Sequence, residues 1–212
     1  MNKVRFLFLA IVIMGIIPVF ITASQYLPKP QTTASSQECN LRLTLNQLWT
    51  DHVMWTRLVI ISALTRLNDV EIAKGRLLQN QVDLGNAITP FYGPQAGNQF
   101  ALLLRQHILI AIDLVGALLT NNRTHVDNLN QQWHSNANDI ASLLSQVNHY
   151  WDRKDLIGMF YQHLQLTAQE IQYRLQENWQ SDAINFDQIV AQAQMMAQTF
   201  ADGIIRQFSQ RF

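Results

Sequence analysis

The sequence predicts an all-α fold, a six-helix bundle built from three sequential helical hairpins of about 55 residues, and three observations carry that expectation. No proline occurs in the 118 residues from Gln95 to Phe212. Apolar positions recur there at three- and four-residue spacing, as in Leu156, Met159, Phe160, His163, Leu164, Thr167 and Ile171. His52, His107 and His163 lie 55 and 56 residues apart in similar surroundings.

Taken in order, the chain opens with Lys3 and Arg5 before an uncharged run from Phe6 to Ile21, and the next charge after Arg5 is Lys29. A basic start before an apolar run reads as an export signal or a membrane anchor over residues 1–24. Cleavage after Ala23 or Ser24 suits the first reading, and an apolar segment continuing through Ala23 and Leu27 suits the second. A retained anchor over residues 6–23 would keep Lys3 and Arg5 in the cytoplasm. Either way the body is expected to be exported to the periplasm or cell envelope, with the membrane a partner only if the segment stays. Residues 25–40 carry Pro28, Pro30 and a Thr/Ser/Gln-rich run, the chemistry of a linker, so the folded domain is expected over 41–212. Cys39, the only cysteine, falls in that linker and reads as a free thiol.

Helix breaks are expected at Leu67 to Asp69, Pro90 to Gly97, Thr120 to Thr124, Asn148 to Asp152 and Asn178 to Asp182. Asn68 with Glu71 and Thr124 with Asp127 have the three-residue interval of helix-start capping. The breaks define hairpins over 41–94, 95–151 and 152–212. Within the hairpins, each histidine is followed by an aliphatic residue (Val53, Ile108, Leu164), and a small residue four places on (Thr56, Ala111, Thr167). Then come Ile60, Val115 or Ile171 at eight and Leu64, Leu119 or Leu175 at twelve. The partner helices agree as well: Asn80 to Gly85 is answered 56 residues later by Asn136 to Ala141. The third copy offers Gln192 and Met195 where the others have Asn and Asp.

The blocks Leu48 to Arg57, Asn80 to Ile88, Tyr92-Gly93, Ala96 to Asn98, His107 to Ala111 and Asn136 to Ala141 resemble those of an uncharacterised family of small exported bacterial all-helical proteins. The resemblance runs over most of residues 45–208 and implies the helical fold without an activity. No Gly-rich phosphate loop and no alternation of strands and helices is present to suggest nucleotide chemistry.

Composition removes other classes. The chain has 15 Lys+Arg against 15 Asp+Glu, 14% charged residues, and 24 Gln with 16 Asn, so its surface is neutral and polar. Without a basic run it lacks the footprint of a nucleic-acid binder. At 212 residues it needs no disulfide or metal to build a core.

The candidate site residues follow from hairpin geometry. With a turn near Asn68, His52 and Asp83 stand at nearly equal height, and a turn near Asn122 does the same for His107 and Asp139. One reading is a polar latch, with His52 facing Asp83 or Asn80, His107 facing Asp139 or Asn136, and His163 left with Gln192. The other is a metal site in which His52, His107 and His163 converge on zinc or another divalent transition metal. The third hairpin lacks the acid, which favours the latch and an expectation of no cofactor. Glu170, seven residues from His163, can share its face, but reads rather as a solvated or capped carboxylate. Trp49, Trp55, Trp133, Phe91, Tyr92, Tyr150 and Trp151 read as core and turn plugs that could also rim an apolar pocket, and His125, His134 and His149 as surface residues. No strained nucleophile turn is present, so the sequence leans away from an enzyme and toward an extracytoplasmic module binding an unknown small ligand or protein partner.

Overall fold

The computed structural model describes residues 35–212. The expected signal or anchor and the linker up to residue 34 lie outside these residues. The fold is all-α: α1 Ser36–Thr65, α2 Val70–Leu119, α3 Arg123–Val147, α4 Arg153–Leu175 and α5 Trp179–Gln207, followed by a 3-10 turn Ser209–Arg211. Among the described residues there is no strand.

Five helices replace the expected six because the break at Pro90 to Gly97 is a corner rather than a loop. Residues 70–119 form one element in which only Gly93 leaves helical geometry, at φ 82° and ψ 166°. A left-handed φ costs glycine nothing, and Pro94, with no N–H to leave unpaired, suits the first position of the second arm. The arms fold back on each other. A Cβ placed on Gly85 would stand 2.7 Å from the Gly97 carbonyl oxygen, and one on Gly97 would meet the Thr89 hydroxyl at 2.1 Å. That hydroxyl donates back to the Gly85 carbonyl at 2.9 Å.

The start of α1 also differs. It begins at Ser36, inside the expected linker, because Ser35 accepts from the Glu38 amide and the Glu38 carboxylate accepts from the Ser35 amide. This reciprocal cap satisfies two free donors, and it places Cys39 exposed in the first turn. The two expected caps shift: Asp69 precedes α2 without a side-chain bond, and Asn122 rather than Thr124 caps α3 by accepting from His125 N at 3.1 Å.

The helices close into a ring, with α1 against α2 and α5, α3 against α2 and α4, and α4 against α5. Trp49 of α1 stacks on Phe200 of α5 with ring centres 5.3 Å apart, and Arg42 pairs with Asp202 at 2.6 Å, which holds the closing seam. Trp133, Leu84, Ile140, Phe160 and Ile189 fill the interior. Leu156, Phe160, His163, Leu164, Thr167 and Ile171 of the expected helical face are buried, and Met159 is half-buried. At the end where α1, α2 and α4 finish, Ile60, Val115 and Ile171 pack together.

Three turns at that end have one construction. Arg66, Asn121 and Glu177 sit at φ 56°, 54° and 56°, spaced 55 and 56 residues apart. The following amide in each case reaches back five residues: Leu67 to Ser62, Asn122 to Ala117, and Asn178 to Tyr173. This is the left-handed helix end that glycine usually serves.

Two outcomes follow for stability. Glu177→Gly relieves a left-handed strain worth roughly 1 kcal/mol and should raise the urea midpoint, whereas Glu177→Ala should not. Gly97→Ala should lower stability by about 1–3 kcal/mol through overpacking at the corner, while Gly158→Ala, whose Cβ meets nothing within 4 Å, should raise it by up to about 1 kcal/mol. The same denaturation series checks both.

Candidate functional site

His52 on α1, His107 on the second arm of α2 and His163 on α4 come together inside the ring. The ring centres of His52 and His163 are 5.8 Å apart and those of His107 and His163 are 6.1 Å apart. All three are buried. They line a cavity of about 20 Å³, shared with Trp133 and walled by Val59, Ile60, Ile108, Val115 and Ile171. That volume holds about one water molecule. Thr56, Ala111 and Ile112 in the lining are half-buried.

Each histidine stands beside an amide from the next helical segment. The Asn136 side chain donates to the Leu103 carbonyl at 3.0 Å, so its oxygen is left to face His107 Nδ1 at 2.8 Å. Gln192 repeats this, donating to the Met159 carbonyl at 3.0 Å with its oxygen 3.3 Å from His163 Nδ1. Asn80 donates to the Leu48 carbonyl at 2.9 Å. Its oxygen and His52 Nδ1 are both buried without a hydrogen bond, so this third pairing is open in its geometry. Leu48, Leu103 and Met159 each precede their histidine by four residues.

An amide oxygen only accepts, so Nδ1 of His107 and of His163 carries the proton and Nε2 keeps its lone pair. In His107 that lone pair accepts from Trp133 Nε1 at 3.1 Å. No hydrogen bond reaches Nε2 of His163 among the described residues, and neither ring nitrogen of His52 is bonded, so no contact fixes the His52 tautomer.

Burial pushes the His52 imidazole from its ordinary 6.5 down to about 3, with His163 and His107 pushing the same way and the Asn80 amide opposing. Burial, then His163, takes His107 to about 3 against the Asn136 amide. Burial takes His163 to about 4 against Gln192. At neutral pH the cluster is uncharged.

Asp83 and Asp139 do not enter it. Asp83 is half-buried and accepts from Gln79 at 3.0 Å, and Asp139 is exposed beside α2. Three residues along a helix turn a side chain about 60° away, so with Asn80 and Asn136 facing the histidines the aspartates fall at the edge. Met195 is likewise exposed. Among the described residues no three His, Cys, Asp or Glu stand so as to hold an ion, and the free pair of His107 is taken by Trp133.

Glu170 is a further correction. It is 1% exposed and accepts from Arg57 Nη1 at 2.5 Å. Arg57 also forks onto both oxygens of buried Asp182, which Arg174 bonds from the other side at 2.8 Å. Burial pushes Glu170 up from 4.5 to about 7 against the pull of Arg57. Burial would lower Arg57, but the bonds to Asp182 and Glu170 outweigh it and its pKa is raised. The two shifts favour opposite states of the Arg57–Glu170 contact. Arg57 is held charged chiefly by Asp182, and Glu170 is the group of the pair that titrates. Sequence reasoning missed this network because its residues lie up to 125 positions apart.

The aromatics pack on one another rather than lining the cavity, Trp133 excepted. Tyr92 accepts from Asn148 at 2.8 Å and packs on Trp151 and Phe208; Trp151 lies over Gly203 and donates to the Thr199 carbonyl. Trp55 and Phe91 are half-buried and Tyr150 is exposed. His125 and His149 are exposed and His134 is half-buried against Tyr161. Compared with family models, curated proteins and solved structures, the chain matches none.

His107→Ala should destabilise the protein more than His163→Ala. It strands both the Asn136 oxygen and the Trp133 N–H, at roughly 1–3 kcal/mol for each unpaired buried group. His163→Ala breaks a single longer bond. Paired chemical melts check the order.

Acid should unfold the protein through the same cluster. The histidine pKa values are lowered on folding, so their stabilisation is complete above pH 6.5 and is lost as pH falls toward 4 and 3. Glu170, raised on folding, acts oppositely between pH 4.5 and 7. Three groups outweigh one, so the denaturation midpoint should fall steadily from pH 6.5 to pH 4. A flat profile would contradict neutral burial.

Proposed function

We propose that this chain is an exported, non-enzymatic helical module whose inner cavity receives a small ligand, and that three hairpins of about 55 residues form its ring. The observation that carries the proposal is an apolar-walled cavity lined by three buried histidines, with the Nδ1 of His52 left without a hydrogen bond and no donor reaching Nε2 of His163 among the described residues. Buried polar atoms without partners are uncommon in folded proteins, and a cavity of about 20 Å³ beside them admits a ligand of atomic or water size. The hairpin reading draws support from the recurrence of three left-handed turns and of the amide-to-carbonyl bonds at 55- and 56-residue intervals. Residues 1–24 supply the address, by their basic start and apolar run. They leave the body in the periplasm or envelope, held to the membrane if the segment is retained.

Two measurements test this. A reporter fused after Phe212 should be active only outside the cytoplasm. Native mass spectrometry of protein taken from its own host should show a bound mass that is lost in Ala111→Leu, a substitution that fills the cavity. Cytoplasmic activity would remove the export reading, and identical masses for both proteins would remove the ligand reading. A second reading, metal binding at this cavity by fewer than all three of His52, His107 and His163, is favoured by the 5.8 Å approach of the His52 and His163 rings.

A further inference from the structure

We propose that the cavity is a binding site for a single copper(I) ion held between Nε2 of His52 and Nε2 of His163, with His107 a third imidazole that Trp133 keeps occupied. The proposal rests on the cavity being the module's ligand site, and it names the ligand.

The chemistry is set by the amides. Gln192 fixes the proton of His163 on Nδ1, and Asn80, oriented by the Leu48 carbonyl, places its oxygen near His52 Nδ1 without yet bonding it, a contact that a metal on Nε2 would draw closed. A histidine that ligates a metal through one nitrogen characteristically donates its other N–H to such an oxygen, which fixes the ring and strengthens the ligand. What enters between the two Nε2 atoms must accept electron pairs, which means a cation or a hydrogen-bond donor. The volume of about 20 Å³ limits it to something of atomic or water size.

Coordination number and charge then select the ion. Zinc takes four ligands in structural sites and three with a water in catalytic ones, and the described residues supply no such set. Copper(I) is stable with two nitrogen ligands in a line. With metal–imidazole bonds of ~2.0 Å, two rings in that arrangement have centres roughly 6 Å apart. His52 and His163 stand at 5.8 Å. The lining of the cavity carries no carboxylate, so a single positive charge costs far less to bury here than a double one. Apolar walls exclude the water that would otherwise compete for the ion.

The test is a copper(I) titration of the full chain under anaerobic, reducing conditions, against a chromophoric copper(I) chelator, in a Cys39→Ser background that removes the exposed thiol. One ion per chain is expected, with quenched tryptophan fluorescence, a raised melting temperature and an X-ray absorption edge typical of two nitrogen ligands. His52→Gln and His163→Gln should abolish this uptake, and the half-buried His134→Gln should leave it unchanged. Trp133→Phe, which frees His107, should leave the edge that of two nitrogens, because the three histidines do not stand so as to hold one ion together. Failure of Cys39→Ser to take up copper(I), uptake that survives both His52→Gln and His163→Gln, or equally tight stoichiometric zinc binding would each overturn the proposal. If the histidine variants lose their helical circular dichroism, the edge and melting shift of the Cys39→Ser protein decide. A bound ion other than copper lost in Ala111→Leu, without copper uptake, would overturn copper while keeping the ligand site; absence of both would remove the site.

Discussion

The side-chain amide that bridges a histidine and a backbone carbonyl of the same neighbouring helix is the constraint on which the interior depends. Asn136 donates to Leu103 and leaves its oxygen for His107, so one side chain settles three things together: its own orientation, the helix spacing and the imidazole tautomer. Because the carbonyl sits one turn before the histidine, the amide reads both position and rotation of that helix. Gln192 reaches the equivalent carbonyl with one more methylene, and its longer 3.3 Å approach to His163 is the geometric mark of that substitution. Where Asn80 meets His52 the first bond forms and the second does not, which leaves His52 the least restrained ring of the three.

Beside this neutral cluster lies a charged one. Arg57 on α1 reaches Glu170 on α4 and Asp182 on α5, and Arg174 completes a set of two guanidinium and two carboxyl groups that balances in charge when Glu170 is ionised. Arg57 also lies 4.4 Å over the Phe186 ring. Removing one member of such a set strands its partner in a poor solvent, so the network specifies how α1, α4 and α5 meet more than it adds to stability. The cavity is therefore enclosed by helices whose positions are fixed twice, by amides at the histidines and by ions below them.

Much of this was legible in the sequence for a physical reason. Helical periodicity and the absence of proline are local properties, and they located the helical runs; the histidine spacing indicated which levels coincide. Asn136 bonds His107 and Asn80 stands by His52 without bonding it, while Asp83 and Asp139, weighed equally with them, lie at the edge, because spacing gives height and not rotation. The Pro90 to Gly97 segment carried the right breakers, yet whether proline and glycine make a loop or a one-residue corner depends on Gly85 and Gly97 touching across it. Glu170 looked solvated because its partner Arg57 is 113 residues away. The Ser35–Glu38 cap that starts α1 went unread because the prolines and polar run before it marked residues 25–40 as linker.

The seam between α1 and α5 has a consequence for how the molecule is made. Trp49 waits for Phe200, and Arg42 for Asp202, 160 residues later. A chain emerging from its amino end can assemble α1 through α4 from neighbours close in sequence, but the ring stays open until almost the last residue has appeared. Until then the apolar face of α1 has no permanent cover. The protein is thus unfinished for nearly the whole of its synthesis, a state in which a chain can still be threaded through a narrow channel. Its closure is one late step that brings both ends of the described chain together, where Gln37, Asn40, Phe91 and Phe212 border a common groove.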